Sequence, residues 1–129
     1  MRIVVADDNA SFLDAVAGFL GREPGFEVVG RAGSGHEAVR AAETTAPDLI
    51  LMDMVMPGMN GLETTRLIKA RPSAPRVIVV TVHEAPGYRD AAYAAGADGF
   101  VAKSGIGRML VPAIRALFPQ TGGGGATAA

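Results

Sequence analysis

Four short apolar runs in this chain each end in a polar residue whose side chain can take part in chemistry. The runs cover residues 2–6, 49–52, 77–80 and 99–102, and they lead into Asp7 and Asp8, Asp53, Thr81 and Lys103, respectively. Continuous runs rich in β-branched residues are typical of strands buried on both faces of a parallel sheet. We predict strands at all four runs and a further strand at residues 26–29.

Segments with helical periodicity separate the predicted strands, and they cover residues 9–22, 34–46, 62–70, 86–96 and 104–118. Asn9 and Ser104 are suited to cap the first and last helices, and Ser34 with Glu37 has the spacing of a capping box. The last helix is expected to bury a stripe of Met109, Leu110, Ala113, Ile114 and Leu117. Regular alternation of strands and helices predicts an α/β fold with a doubly wound five-stranded parallel sheet.

Composition favours a single domain. The chain has 129 residues, of which 49% are hydrophobic and 19% charged, so one ordinary core can form. The domain is expected over residues 1–118. Residues 119–129 are rich in glycine and are expected to be a flexible tail, either a linker to another domain or a disordered end.

Charge and hydropathy exclude several classes of protein. The net charge is −1, so no basic face indicates direct nucleic-acid binding by this domain. The chain has no cysteine, and no apolar stretch approaches the roughly 18 residues of a membrane span. The N-terminus does not resemble a signal peptide. We expect a soluble cytoplasmic domain without membrane contact.

The polar residues at the strand ends predict an acidic site. Ligands of parallel sheets collect beyond the carboxyl ends of the strands, so these side chains should share one edge. Three carboxylates suit a hard cation such as Mg²⁺. Asp53 would already be ionised at neutral pH and would need no base to attack phosphorus. Taken singly, each residue also fits an ordinary role, as a turn aspartate, a strand threonine or a surface lysine.

Several motifs together carry a family resemblance: residues 5–9, 47–53, 56–61, Thr81 and residues 95–103. At these positions the chain resembles the receiver (CheY-like) domains of bacterial two-component response regulators. It is most similar to the NarL/LuxR-type subfamily, in which a helix-turn-helix domain follows the receiver. The resemblance implies a flavodoxin-like (βα)₅ fold with strand order 2-1-3-4-5.

The resemblance also implies roles for the acidic residues. Asp53 would accept a phosphoryl group from a histidine kinase, with Mg²⁺ as cofactor. Asp8 and Asp53 would bind the metal directly and Asp7 through water, while Val55 would contribute only its backbone carbonyl. On this interpretation the chain is a phosphorylation-controlled switch and not an enzyme.

The output step is implied by the same resemblance. Lys103 would neutralise phosphoryl oxygens, and the Thr81 hydroxyl would move toward the phosphoryl group. Phe100 would swing into the space that Thr81 leaves, which changes the surface around the last two βα units. Transcription would be controlled through a DNA-binding domain missing from this chain, and the sequence leaves open whether the protein is a homodimer.

Two positions depart from the family pattern. Ser104 stands where many receivers have a proline that follows a cis peptide bond. Because a cis bond without proline costs about 3–4 kcal/mol, we predict a trans Lys103–Ser104 bond. His83 lies where family members tune loss of the phosphoryl group, although a passive surface role fits it equally well.

Three alternatives remain open at this point. The chain could be a stand-alone receiver, or a binding module that works without phosphorylation. The third alternative is a Mg²⁺-dependent phosphohydrolase that forms an aspartyl-phosphate. The run Asp7-Asp8-Asn9-Ala10 does not fit the Asp-x-Asp motif of such enzymes, and the chain lacks a cap domain for a substrate.

Overall fold

The computed structural model describes residues 1–119, and five strands within this range form one sheet. The strands are β1 (Arg2–Ala6), β2 (Glu27–Ala32), β3 (Leu49–Asp53), β4 (Arg76–Thr81) and β5 (Gly99–Ala102). All neighbouring strands pair in parallel, in the order β2-β1-β3-β4-β5. The predicted fold class and strand order are therefore confirmed.

Five helices cover the two faces of the sheet: α1 (Ala10–Gly21), α2 (Gly35–Thr45), α3 (Gly61–Lys69), α4 (Pro86–Ala94) and α5 (Ile106–Leu117). Helices α1 and α5 share one core with alternate residues of β1, β3 and β4. The other alternate residues of these strands face α2, α3 and α4. The central strands are buried on both sides, which explains their continuous apolar sequence. Across residues 1–119, no helix combines the length and apolarity that crossing a bilayer requires.

Helix capping confirms part of the sequence prediction. Asn9 caps α1 by accepting a hydrogen bond from the Phe12 N–H, 3.0 Å away. Ser34 caps α2, but the Glu37 carboxylate accepts from the Gly33 N–H at 2.6 Å and not from Ser34, so the predicted capping box is incomplete. A complete capping box, which the sequence analysis missed, joins Asn60 and Glu63 at the start of α3.

For the last helix, the predicted Ser104 cap is wrong and the predicted buried stripe is wrong at one of its five residues. Ser104 lies in a short 3₁₀ turn and donates its hydroxyl to Glu84 at 2.9 Å, so α5 starts after Gly105 without a side-chain cap. Ala113 and Leu117 of the predicted stripe pack against the core. Leu110 and Ile114 are buried, whereas Met109 is 56% exposed. The Lys103–Ser104 bond is trans as predicted, because no peptide bond in residues 1–119 is cis.

The predicted end of the domain at residue 118 is compatible with the last helix, which ends at Leu117. The boundary itself stays a prediction. The flexible tail predicted for residues 119–129 lies outside the described residues, apart from Pro119.

At the sheet edge opposite the acidic residues, the Asp98 carboxylate links three groups by hydrogen bonds. It accepts hydrogen bonds from the Val77 N–H at 2.9 Å, from Lys69 at 2.8 Å and from Arg76 at 3.2 Å. Burial by itself would raise the pKa of Asp98, but these three donors outweigh burial and lower the pKa. The charged form is therefore stabilised by the fold.

We expect Asp98→Ala to lower the free energy of unfolding by about 2–3 kcal/mol at pH 7, since charge-assisted hydrogen bonds are lost and the Val77 N–H loses its acceptor. Because the pKa of Asp98 is lower in the folded than in the unfolded state, its carboxylate adds to the free energy of unfolding above the unfolded-state pKa, near 3.9. This contribution is lost as the pH falls below that value. The difference between wild type and variant should therefore shrink in acid. Urea unfolding between pH 3 and 7 measures it, with the exposed Asp90→Ala as control. A difference independent of pH would contradict this account.

Candidate phosphoryl-acceptor and metal site

Three carboxylates converge at the carboxyl edge of the sheet. Asp7 and Asp8 follow β1, and Asp53 is the last residue of the adjacent β3, because Ala6 pairs with Met52. Each carboxylate offers one oxygen, and the three oxygens lie within 4.8 Å of one another. Asp7 and Asp53 are buried, whereas Asp8 is exposed to solvent. The structure therefore brings together the acidic residues that the sequence predicted would meet.

Lys103 reaches this cluster from the end of β5. Its ammonium donates to Asp7 Oδ2 at 2.6 Å and lies 3.7 Å from Asp53 Oδ1. The other Asp7 oxygen accepts from the Asn9 N–H at 2.8 Å. Both oxygens of Asp7 are thus used by donors of this chain, while the lysine also stands beside Asp53.

Asp53 is held in an environment that disfavours its charge. Burial is the main cause that raises the pKa of Asp53 to about 6, and the negative charge of Asp7 adds to it. Lys103 and the Met54 N–H act in the opposite direction but do not compensate. A carboxylate that is buried beside two others gains more from a nearby cation than an exposed one would. The donor set, all hard oxygen atoms, suits a divalent ion such as Mg²⁺.

Thr81 ends β4, the strand next to β3, and is fully buried. Its hydroxyl oxygen accepts a hydrogen bond from the His83 N–H at 3.2 Å. The His83 ring stacks on Tyr88, with ring centroids 4.7 Å apart. The loop after β4 is therefore attached both to Thr81 and to the start of α4.

Neither the Phe100 nor the Val55 side chain is part of the acidic cluster. Phe100 is half-buried on β5, where its ring packs with a small core between the sheet and α4 and contacts the Arg89 guanidinium at 5.1 Å. Val55 follows β3, and its side chain is 56% exposed. The metal-binding role of the Val55 carbonyl stays a prediction.

Sequence analysis missed two residues that shape the site. The Gly61 N–H donates to the Met54 carbonyl at 2.8 Å, and a Cβ at Gly61 would lie 1.9 Å from the Asp53 carbonyl oxygen. The Phe12 ring lies beneath Lys103, with the ammonium 4.1 Å from its centroid. In the sequence, Gly61 is one of several loop glycines and Phe12 is one of several apolar helix residues. Neither type of residue signals such a contact.

The fold and the cluster define an α/β domain of the flavodoxin-like class with an acidic site, able to hold a metal, at the carboxyl edge of its sheet. The sequence model of the response regulator receiver domain matches residues 3–115, and the chain belongs to this family. Receiver domains of response regulators are signalling switches rather than enzymes. The family resemblance of the motifs is confirmed.

Individual relatives agree with this assignment. The chain is 37% identical to the response regulator GacA of Pseudomonas viridiflava, over 92% of this chain and 55% of that protein. It is also 37% identical to the transcriptional regulatory protein LiaR of Bacillus subtilis, over 90% and 55%, respectively. A LuxR-family two-component response regulator from an Aurantimonas species matches with a TM-score of 0.86 and 36% identity, over 90% of this chain and 83% of that one.

These matches confirm the similarity to the LuxR-type subfamily. The chain spans about half the length of the two curated relatives.

Proposed function

We propose that Asp53 accepts a phosphoryl group from the histidine of a sensor kinase, and that this reaction switches the surface of the domain. The observation that carries the proposal is the convergence of three carboxylate oxygens within 4.8 Å, with the Lys103 ammonium 3.7 Å from Asp53. A structural salt bridge would need one carboxylate for one lysine. The excess of negative charge fits a site that also binds a cation and a phosphoryl group.

In the proposed transfer, an Asp53 carboxylate oxygen attacks phosphorus and forms a P–O bond. The P–N bond of the phosphohistidine breaks, and the imidazole nitrogen leaves with the electron pair. Lys103 would form ion pairs with phosphoryl oxygens. Thr81, buried at the end of β4 next to β3, would donate a hydrogen bond from its hydroxyl to one of them. The product is an aspartyl-phosphate, a mixed anhydride.

Mg²⁺ is the cofactor that we propose for this site. Asp8 and Asp53 would hold it directly, Asp7 through water and Val55 through its backbone carbonyl. An indirect role for Asp7 is consistent with the hydrogen bonds that Asn9 and Lys103 already make to its two oxygens. When bound, the ion would offset the repulsion among the carboxylates and the phosphoryl oxygens.

We further propose that the signal leaves through the last two βα units. Phosphorylation adds close to two negative charges next to Thr81, which is linked to the following loop through His83. A shift of Thr81 would let Phe100 turn inward from its half-buried position. The chain spans about half the length of its relatives, which are response and transcriptional regulators, and this supports a protein that acts through a DNA-binding output domain. We propose that it acts in the cytoplasm. A homodimer is one arrangement open to it.

One experiment tests this proposal against its alternatives. The chain is incubated with Mg²⁺ and acetyl phosphate, and its intact mass is followed together with phosphate release. The switch predicts a single stoichiometric phosphoryl adduct that decays slowly. Rapid multiple turnover would support a phosphohydrolase, and the absence of any adduct would support a binding module that works without phosphorylation.

Mg²⁺ is expected to stabilise the fold through the same carboxylates. A ligand that binds only the folded state at ten times its dissociation constant adds about 1.4 kcal/mol, and for a domain of this size the melting temperature should rise by about 4–6 °C. We expect the increase in wild type and its loss in Asp8→Asn. Thermal unfolding with MgCl₂, compared with NaCl of equal ionic strength, measures it. Asp90→Asn on α4 is the matched control, and an equal response of both variants would contradict the assigned site.

A further inference from the structure

The aromatic ring of Phe12 lies directly below the functional lysine. The Lys103 ammonium is 4.1 Å from the ring centroid, well within the distance at which the face of an aromatic ring attracts a cation. The Lys103 side chain is only 18% exposed, so little water competes with the ring. This contact should therefore be stronger than an equivalent contact on an open surface.

The position of Phe12 is fixed by the same segment that fixes Asp7. The Phe12 N–H donates to Asn9 Oδ1 at 3.0 Å, and the Asn9 N–H donates to Asp7 Oδ1 at 2.8 Å. The ring also borders a narrow, mainly apolar gap that extends to Asp53. The cap of α1 thus places an aromatic face and a buried carboxylate in contact with one ammonium group.

We propose that Phe12 is a positioning residue for Lys103 in phosphoryl transfer. This inference rests on the proposed function, because it concerns how the lysine is presented to the phosphoryl group. Lysine has a long flexible stem, and among the described residues its ammonium makes one hydrogen bond, to Asp7 at 2.6 Å. The Phe12 ring supplies a further restraint, 4.1 Å from the ammonium, and helps to hold it 3.7 Å from Asp53, where a phosphoryl oxygen would arrive.

A purely structural role for Phe12 makes different predictions. Its ring packs against the core shared by α1 and α5, so any truncation also removes buried apolar surface. Packing depends on volume and apolarity, whereas attraction to the ammonium depends on an aromatic face. Phe12→Leu keeps an apolar side chain and loses the face, and Phe12→Tyr keeps the face. The comparison of these two variants separates the two roles.

The kinetic test is a double-mutant cycle between Phe12 and Lys103. We expect Phe12→Leu to slow phosphorylation of Asp53 by acetyl phosphate about three- to tenfold, as loss of a cation–π contact implies, and Phe12→Tyr to keep the wild-type rate. In a Lys103→Met background, Phe12→Leu should have no further effect, because the group that it positions is absent. Equal rates for wild type and Phe12→Leu, or the same loss in both backgrounds, would overturn the proposal.

An NMR measurement tests the contact without any phosphorylation. A ring current shifts protons above an aromatic face upfield, so the ε-methylene protons of Lys103 should lie upfield of those of Lys69, the only other lysine in the chain. The shift should persist in Phe12→Tyr and disappear in Phe12→Leu. Lys103 protons at the position of Lys69 in wild type would overturn the inference. If no variant takes up phosphate but the shift is present, the proposed function fails and the restraint on Lys103 stands.

Discussion

Asp53→Asn is expected to abolish phosphoryl labelling of the chain by acetyl phosphate and by a cognate kinase. An amide has no carboxylate oxygen that can attack phosphorus, and the remaining acidic residues are not equivalent: Asp7 is engaged by Asn9 and Lys103, and Asp8 is exposed. Intact-mass spectrometry with Mg²⁺ and acetyl phosphate measures the loss. Stoichiometric labelling of the variant would show that another residue is the acceptor.

The stability of this variant provides an internal control, because loss of labelling could otherwise reflect unfolding. The pKa of Asp53 is raised to about 6, mainly by burial, so the folded state binds the proton more tightly than the unfolded state. The contribution of the Asp53 carboxyl to the free energy of unfolding is therefore present below pH 4 and is lost as the pH rises through 6. Removing the charge should therefore stabilise the variant by about 1–2 kcal/mol at pH 7, measured without Mg²⁺, and by little at pH 4. Asp90→Asn should change neither labelling nor stability.

Gly61→Ala is expected to destabilise the fold by at least about 3 kcal/mol, or to prevent folding, although it adds only one methyl group. The added Cβ would lie 1.9 Å from the Asp53 carbonyl oxygen and 2.9 Å from the Met54 Cα. Both contacts are with backbone atoms, which cannot move aside as a flexible side chain can. The loop after β3 would have to shift, and Asp53 would shift with it. Urea unfolding measures the loss of stability, and labelling of the folded fraction should also fall.

Gly18→Ala is the matched control for this substitution. Gly18 lies in α1, and outside its chain neighbours and its own helix backbone no atom lies within 4 Å of the added methyl group, so alanine should stabilise that helix by about 0.5–1 kcal/mol. The same chemical change should therefore have opposite signs at the two positions. A Gly61→Ala protein as stable as wild type would show that the loop accommodates the methyl group, and the close approach would then have no role in holding Asp53.

Some of the local errors share one cause, which the last helix illustrates. Serine before an apolar repeat is an ordinary helix cap, and Met109 falls on that repeat. Ser104 instead contacts Glu84, a residue 20 positions away, within a 3₁₀ turn that precedes the helix, and Met109 is exposed. Glu37 shows the same limitation on a smaller scale. A sequence pattern identifies a suitable hydrogen-bonding group, but the path of the backbone selects its partner.

The amino-acid sequence by itself determined the α/β class, the order of the elements and the edge at which the acidic residues meet. Continuous apolar runs report strands buried on both faces, and residues that follow parallel strands must emerge at one edge of the sheet. Only the tertiary structure decided that Lys103 pairs with Asp7 while it rests on Phe12, and that Gly61 lies against the Asp53 backbone. These contacts join residues that are separated in the chain. A change of a fraction of an ångström in the positions of the atoms would alter them. They depend on how the elements pack, which no local pattern of residues records.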